Sequence, residues 1–269
     1  MKSLNTLFLI FCVTFLACNK EEDNNNEEDN NNNNESLLIK RTVETDSDGI
    51  VTTVNYVYED NKLITVNHED GDKNVYTYAG NKIVKDEQFY DNQIAVYVDL
   101  KYNEDDKLIE FTENWLEPSG MNGLIYKHSI TYNGDNTYTD AIYRSYLGSE
   151  FELYTTDIYS TNENNITKIE NEVNNNEQLY SYDEKNGIHK NIYAIEIFNL
   201  LNQTEFGAPI QGNTNNVINN TEIENGGIYS EEKYVYTYNE QGYPKTANIE
   251  YYDETGALED TSTMEYFYE

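Results

Sequence analysis

Cysteine is scarce in this 269-residue chain, which contains only Cys12 and Cys18. From residue 19 onward there is none, so that part of the chain cannot form disulfides, zinc–thiolate sites or cysteine nucleophiles. Proline is also rare, with three residues, and one of them lies in the segment 117–120, where Pro118, Ser119 and Gly120 predict a loop.

Positive charge is the second shortage. The chain has 17 Lys and Arg against 50 Asp and Glu, a formal net charge of −33. Proteins that bind nucleic acids or anionic headgroups rely on Lys and Arg to displace counterions. The composition therefore excludes a nucleic-acid partner, and the many carboxylates are typical of a protein surface that stays soluble.

Long apolar runs are missing as well. The longest, Leu4–Leu16, has about a dozen residues, whereas a membrane-spanning helix needs ~20. It follows Lys2 and ends just before a small residue, Ala17, and Cys18, a pattern typical of a secretory signal. We expect residues 1–17 to be a signal peptide and no later segment to span a membrane as a helix.

The end of this run resembles the bacterial lipobox, where signal peptidase cuts before a cysteine that carries diacylglycerol, although Phe15 stands where Leu is usual. The resemblance implies that Cys18 is lipidated and that Cys12 is removed. An ordinary cleaved signal is the alternative. The next residues resemble the export signal that takes Bacteroidota lipoproteins to the outer face of the outer membrane: Lys20, Glu21, Glu22 and Asp23. Together these resemblances imply a lipid-anchored outer-membrane protein exposed on the cell surface.

Residues 19–36 consist almost entirely of Asn, Glu and Asp, with no apolar side chain. Such a stretch cannot bury enough apolar surface to offset the entropy of ordering it. We therefore predict three parts: a signal peptide at 1–17, a lipidated cysteine with a disordered tether at 18–36, and a folded body at 37–269.

The body alternates with a period of two. Tyr234, Tyr236 and Tyr238 are separated by Val235 and Thr237, and similar alternation with aromatic and β-branched residues recurs along the chain. This pattern predicts half-buried strands. Helical periodicity is nearly absent, and the best helix candidate is 191–202, which could also be strand.

A unit of a tyrosine-rich strand, a short polar turn and an aliphatic strand start recurs at 56–63, 76–83, 100–108 and 236–243. Asn, Asp and Gly suit the tight turns of hairpins, and tyrosine rows stabilise neighbouring strands. The expected fold is all-β: a single curled antiparallel meander, or an open barrel-like sheet, built from repeated tyrosine-rich hairpins. Whether the sheet closes is left open.

This unit resembles a degenerate YD-repeat. Signal and body together are similar to a Bacteroidota lipoprotein family of unknown function, described as having a porin-like fold. The segment 182–186 also resembles that family. The resemblance implies a rolled antiparallel sheet and carries no known activity. It does not imply a pore, because the outward positions alternate with Lys, Glu and Thr and form no apolar band.

Candidate chemistry is sparse. His68, His128 and His189 have no metal spacing, and His128 lies on a tyrosine face, where a packed histidine is expected. We find no nucleophile elbow, phosphate loop or zinc-protease motif. Asp70–Asn74 and Asp46–Gly49 resemble calcium loops only in part and are interpreted as turns. We predict no catalytic residue, no cofactor and no strong metal site, although weak surface calcium binding is left open.

Trp115 is the candidate ligand-binding residue, because Trp and Tyr dominate binding hot spots. The loops 115–123 and 206–220 are long enough to carry recognition. The predicted function is a non-catalytic binding or surface-interaction module with a glycan or protein ligand. One alternative is a carbohydrate-active or other hydrolytic enzyme with paired carboxylates, for which Glu110 and Glu113 are the candidates. The other is a structural surface-coat component.

Overall fold

The computed structural model describes residues 37–117, 122–171, 173–201 and 213–269. The predicted signal peptide, Cys18, the export signal and the tether lie outside these residues.

In this part of the chain there are sixteen strands and one short helix. The elements are β1 (Ile39–Asp46), β2 (Val51–Glu59), β3 (Lys62–His68), β4 (Lys73–Ala79), β5 (Lys82–Tyr90), β6 (Gln93–Tyr102), β7 (Leu108–Leu116), β8 (Asn122–Tyr132), β9 (Thr137–Tyr146), β10 (Glu152–Asn162), β11 (Asn165–Asn171), β12 (Asn176–Tyr182), α1 (Ile195–Leu201), β13 (Val217–Glu224), β14 (Gly227–Tyr238), β15 (Pro244–Tyr252) and β16 (Leu258–Tyr268).

The sheet is a closed antiparallel barrel. Each strand pairs with its neighbours in the sequence, and β1 closes the ring by pairing with β16, with Ile39 opposite Tyr268. Closure leaves none of the sixteen described strands as an open edge of the sheet. The all-β prediction is confirmed, and the predicted meander is a complete ring.

Side chains alternate between the barrel interior and the outer surface. On β4, Tyr76 is 2% exposed and belongs to the core, whereas Thr77 is exposed. On β14, Tyr234 and Tyr236 pack against the core and the intervening Val235 is 63% exposed. The tyrosine rows therefore line the interior, with their apolar rings in the core.

Besides packing, the repeat tyrosines Tyr78 and Tyr102 form hydrogen bonds through their hydroxyls. Each of the four repeat hairpins contains a β-bulge beside its turn, as where Tyr78 pairs with Ile83. The Tyr78 hydroxyl donates to the Leu63 carbonyl on the preceding strand (3.0 Å), and Tyr102 repeats the bond to Ile83 (2.8 Å). Such hydroxyls bind carbonyls where the bulge disturbs the regular ladder. This geometry accounts for the spacing of the repeat.

A segment between β12 and β13, residues 183–201 and 213–216, packs against the barrel end that carries these tyrosine turns; we call it the plug. The Tyr193 backbone N–H donates to the Asn61 carbonyl (2.8 Å). Within the predicted helical segment, α1 is helical over seven residues and its Phe198 is fully buried, edge-on to Tyr76 at 5.1 Å. No helix among the described residues is long and apolar enough to cross a membrane.

The outer surface carries ion pairs at mid-strand. Charged residues two positions apart share one face of a strand, as in Lys85 with Glu87 (2.7 Å) and Lys233 with Glu231 (2.7 Å). Their charges remain in contact with water, so each pair contributes little to stability.

Candidate functional site

The barrel interior changes character along its axis. Near the plug it is apolar and tyrosine-rich. Toward the opposite end, which we call the mouth and where the turns 47–50, 69–72 and 91–92 lie, polar residues occupy inner positions. The buried polar residues on β4 to β10 include Asn74, Asp86, Gln88, Glu113, His128, Asp140 and Thr155. Burial of so many polar groups requires partners or a function.

His128 lies at the centre of these residues. Its Nδ1 is 2.6 Å from Asp140 Oδ2 and its Nε2 is 2.8 Å from Glu113 Oε1. Phe111 stacks on the ring with centroids 4.0 Å apart. Burial alone would lower the pKa of His128, but the hydrogen bonds and charges of Asp140 and Glu113 outweigh it and raise the pKa to about 9. His128 is therefore a buried imidazolium that donates from both nitrogens.

Two further carboxylates extend this group. Burial raises the pKa of Asp86 to about 7, although Gln88 Nε2 donates to its Oδ2 (3.2 Å). Burial and the neighbouring Asp140 raise the pKa of Asp157 to about 6. We call Asp86, Glu113, His128, Asp140 and Asp157 the acidic cluster. Within this cluster, Asp86 and Asp157 can take up protons near neutral pH.

The cluster was not predicted as a group from the sequence, which singled out only two of its members: His128 as a packed histidine, and Glu113 as a candidate carboxylate paired with Glu110. The burial of His128 fits the first expectation, and its two carboxylate partners are new. The available signal was position: Glu113 follows the core residue Phe111 by two, and Asp140 follows Tyr138 by two, which places both carboxylates on the inner face.

Trp115 is not in a loop, so that prediction needs correction. It lies in β7, opposite Val96 and Leu124, because the strand alternation continues two residues beyond Glu113. Its ring is half-buried, and its Nε1 donates to Glu113 Oε2 (3.3 Å). The indole therefore lies on the mouth side of the acidic cluster. Of the predicted loop 115–123, residues 118–121 fall outside the described residues.

The carboxylate pair Glu110 and Glu113 is not brought together. Residues three apart on a strand face opposite sides, and Glu110 pairs with Lys101 on the outer surface (3.7 Å) while Glu113 is 2% exposed. Glu113 instead meets Asp140 through His128. Because an imidazolium lies between these two carboxylates, the pair lacks the gap that a glycosidic bond would occupy.

The two calcium-like segments form local turns. Asp46 Oδ1 accepts hydrogen bonds from the backbone N–H groups of Asp48 (3.0 Å) and Ile50 (2.8 Å). Asp70 Oδ1 accepts one from Asp72 (3.1 Å). Among the described residues, no group of three or more His, Cys, Asp or Glu side chains could hold a metal ion.

The last four residues of the second predicted recognition loop, 206–220, lie in a strand. Residues 202–212 fall outside the described residues, and β13 begins at Val217. Residues 213–216 belong to the plug and pack against β11, where Asn165 Oδ1 accepts from the backbone N–H of Thr214 (2.8 Å).

Comparison with known proteins identifies the fold. No protein-family model matches the chain, and no curated protein matches it. Among solved structures, the chain is similar to a porin-like protein from Bacteroides vulgatus ATCC 8482, with a TM-score of 0.55 and 13% identity over 87% of this chain and 99% of that one. A porin-like protein from Bacteroides uniformis ATCC 8492 also matches, with a TM-score of 0.38, 13% identity, and coverage of 86% and 96%. The first similarity shows a shared barrel fold.

Proposed function

We propose that this chain is a cell-surface lipoprotein, anchored in the outer membrane through Cys18, whose barrel binds a ligand at its mouth without transforming it. One observation carries the proposal. The plug packs against one end of the barrel, and toward the other end the interior presents a half-buried tryptophan beside a buried acidic cluster.

A lipid anchor would explain both the lipoprotein-like start of the sequence and the charged outer surface of the barrel. The sequence up to Asp23 has the pattern of an exported lipoprotein. A barrel inserted in a membrane presents an apolar band to lipid. The outer strand surface here carries mid-strand ion pairs such as Lys168 with Glu170 (2.8 Å). A barrel held beside the membrane by lipid on Cys18 keeps these charges in water.

The chemistry of the cluster favours binding over catalysis. A hydrolase needs a nucleophile or an activated water beside a free acid or base. Both nitrogens of His128 are held by carboxylates, which fixes its proton and its orientation. The cluster therefore provides fixed charge and hydrogen-bond acceptors beside the Trp115 ring.

The ligand class follows from these groups. The excess of carboxyl groups over cations disfavours anionic ligands. An indole face beside hydrogen-bond acceptors suits a sugar ring of a glycan, or a protein side chain that combines an apolar surface with a donor. A glycan or a protein is therefore the proposed partner.

The test is a glycan and host-protein array probed with the detergent-solubilised full chain and with Trp115→Ala. Phe267→Ala is the matched control, because Phe267 is an aromatic residue of the outer surface that is 37% exposed. The proposal predicts a saturable hit that is lost in Trp115→Ala and kept in the control. Silence on the arrays together with self-association would instead favour a surface-coat component.

The anchor is tested separately. Cys18→Ser should abolish incorporation of labelled fatty acid and release the protein from membranes. Alanine at Lys20, Glu21, Glu22 and Asp23 should keep the lipid but remove the protein from the protease-accessible cell surface. Fatty-acid labelling that persists in Cys18→Ser would contradict the proposed anchor.

A further inference from the structure

A second interior space lies away from Trp115. It is a cavity of about 350 Å³ between the plug and the inner faces of β14, β15, β16, β1 and β2. Five tyrosines form much of its wall: Tyr56, Tyr234, Tyr236, Tyr251 and Tyr266. Its size falls within the ~300–1,000 Å³ of small-molecule sites. Since β15 is eight strands from β7 in either direction round the barrel, this cavity is distinct from the proposed Trp115 site.

The cavity lining carries little charge. Among the described residues that line it, Glu44 is the only acidic or basic one apart from His189. The hydroxyl of Tyr234 in the wall donates to Glu232 Oε2 (2.6 Å). Burial lowers the pKa of His189 to about 3, so this imidazole is neutral at physiological pH. Burial raises the pKa of Tyr56 to about 12, which keeps that phenol protonated. The cavity therefore offers neutral donors and acceptors beside aromatic rings.

His189 and Asn216 belong to the plug and line the cavity on that side, which we call its floor. His189 Nδ1 and Asn216 Oδ1 are buried and have no hydrogen-bond partner among the described residues, and the two residues are only 5% and 3% exposed. Asn216 is held in place through its other amide atom, because its Nδ2 donates to Asp183 Oδ2 (3.1 Å) and to the Asn186 carbonyl (3.0 Å). Its Oδ1 is thus left as a fixed, unsatisfied acceptor, which is costly without a partner.

We propose that this cavity binds a neutral, hydroxyl-rich small molecule, of the chemical class of a single hexose. A hydroxyl can donate to Asn216 Oδ1. It can also serve His189 Nδ1 in either neutral tautomer, since it both donates and accepts. The tyrosine rings suit the apolar face of a sugar ring, and their hydroxyls suit its edge.

Other ligand classes fit less well. An anion would find no cation among the described lining residues and would face Glu44. A quaternary ammonium would fit the aromatic wall and Glu44, but it has no N–H or O–H to give to His189 Nδ1 or Asn216 Oδ1. Water could fill the space with about ten molecules, and this is the main alternative.

From the exposure of the lining residues we infer that the entrance is on the side of Glu44 and Tyr251. Both are partly exposed, whereas His189 at the floor is buried. A ligand could therefore enter from solvent and reach the floor without opening of the strand ladder.

The experiment uses the full chain in detergent with glucose, galactose, mannose and N-acetylglucosamine as separate probes, and tetramethylammonium, which has no O–H or N–H, as the cationic probe. Saturation-transfer NMR detects binding and calorimetry measures affinity. Met264→Trp places a large ring in the cavity, and Val235→Trp on the outer surface, where Val235 is 63% exposed, is the matched control. His189→Phe keeps a ring against Tyr56 and removes the floor nitrogen.

The proposal predicts that at least one neutral sugar binds saturably. Met264→Trp should abolish this binding, Val235→Trp should preserve it, and His189→Phe should weaken it about tenfold while the protein remains folded. If Met264→Trp does not fold, His189→Phe alone carries the test. Trp115→Ala should leave sugar binding in this cavity unchanged, which separates it from the mouth site. Binding of tetramethylammonium alone, or no binding by any probe at millimolar concentration, would overturn the proposal.

Discussion

Raising the pH through 9 should deprotonate His128 and weaken the barrel. This imidazole is buried between Glu113 and Asp140, and its pKa of about 9 in the folded protein lies above the ordinary value of 6.5. The folded state therefore holds the proton more tightly than the unfolded chain does. The resulting stabilisation is fully present below pH 6.5 and is lost as the pH rises through 9.

The size of the effect follows from the two pKa values. Their difference corresponds to about 3 kcal/mol of unfolding free energy for a group as buried as His128. That is a large fraction of the ~5–15 kcal/mol by which domains are stable. Part of this loss arises because, at high pH, Glu113 and Asp140 would face each other without a cation between them.

Urea unfolding at pH 6 and pH 9.5 measures this loss, and NMR of the imidazole nitrogens measures the pKa directly. His128→Gln should be less stable than the wild type at pH 6 and should lose much less stability between the two pH values. His68→Gln, at a partly exposed histidine, should behave as the wild type does. The reasoning is refuted if His128 titrates at or below 6.5, or if His128→Gln loses as much stability as the wild type.

Three other substitutions test separate parts of the structure. Burial raises the pKa of Asp86 from 3.8 to about 7, so ionisation of this carboxyl destabilises the folded state as the pH rises above 3.8. Asp86→Asn should therefore raise the free energy of unfolding at pH 8 by up to about 4 kcal/mol and leave it nearly unchanged at pH 4, and an equal effect at both pH values would contradict this. Tyr78→Phe removes a hydroxyl bond to a bulge carbonyl and should cost about 1 kcal/mol by urea unfolding, whereas Tyr97→Phe, whose ring takes part in a surface contact with a lysine, should cost less. Gly187→Ala places a Cβ 2.7 Å from a plug carbonyl and should lower the free energy of unfolding by ~1–3 kcal/mol, measured as a fall in Tm. In Gly227→Ala the nearest atom to the new Cβ is 3.8 Å away, so its Tm should stay close to that of the wild type.

The strands were predictable because alternation is a local property. A tyrosine at every second position, followed by a turn residue such as Asp60 at positive φ, is visible without knowledge of the fold. Closure is not local. Whether Ile39 meets Tyr268 depends on the number of strands, their tilt and the accumulated stagger of all the bulges. No short segment contains that information.

The interior groups were harder to foresee for two different reasons. Asp86, Glu113 and Asp140 were hidden among 50 acidic residues, and only their place on the tyrosine face distinguishes them. The bulge after Ile83 also shifts the alternation by one residue on β5, which obscures Asp86. The plug is irregular backbone, so nothing in its periodicity indicated that His189 would be buried against Tyr56.

Pairing of β1 with β16 also determines how the chain must fold. Hairpins form from neighbouring residues, but the seam joins Lys40 to Glu269 across 229 positions of sequence. Closing so long a loop costs about 5 kcal/mol of chain entropy, and such high contact order is associated with slow folding. Until the last strand arrives, the curled sheet has two open edges, and the like charges of its many carboxylates would hold neighbouring unfinished molecules apart.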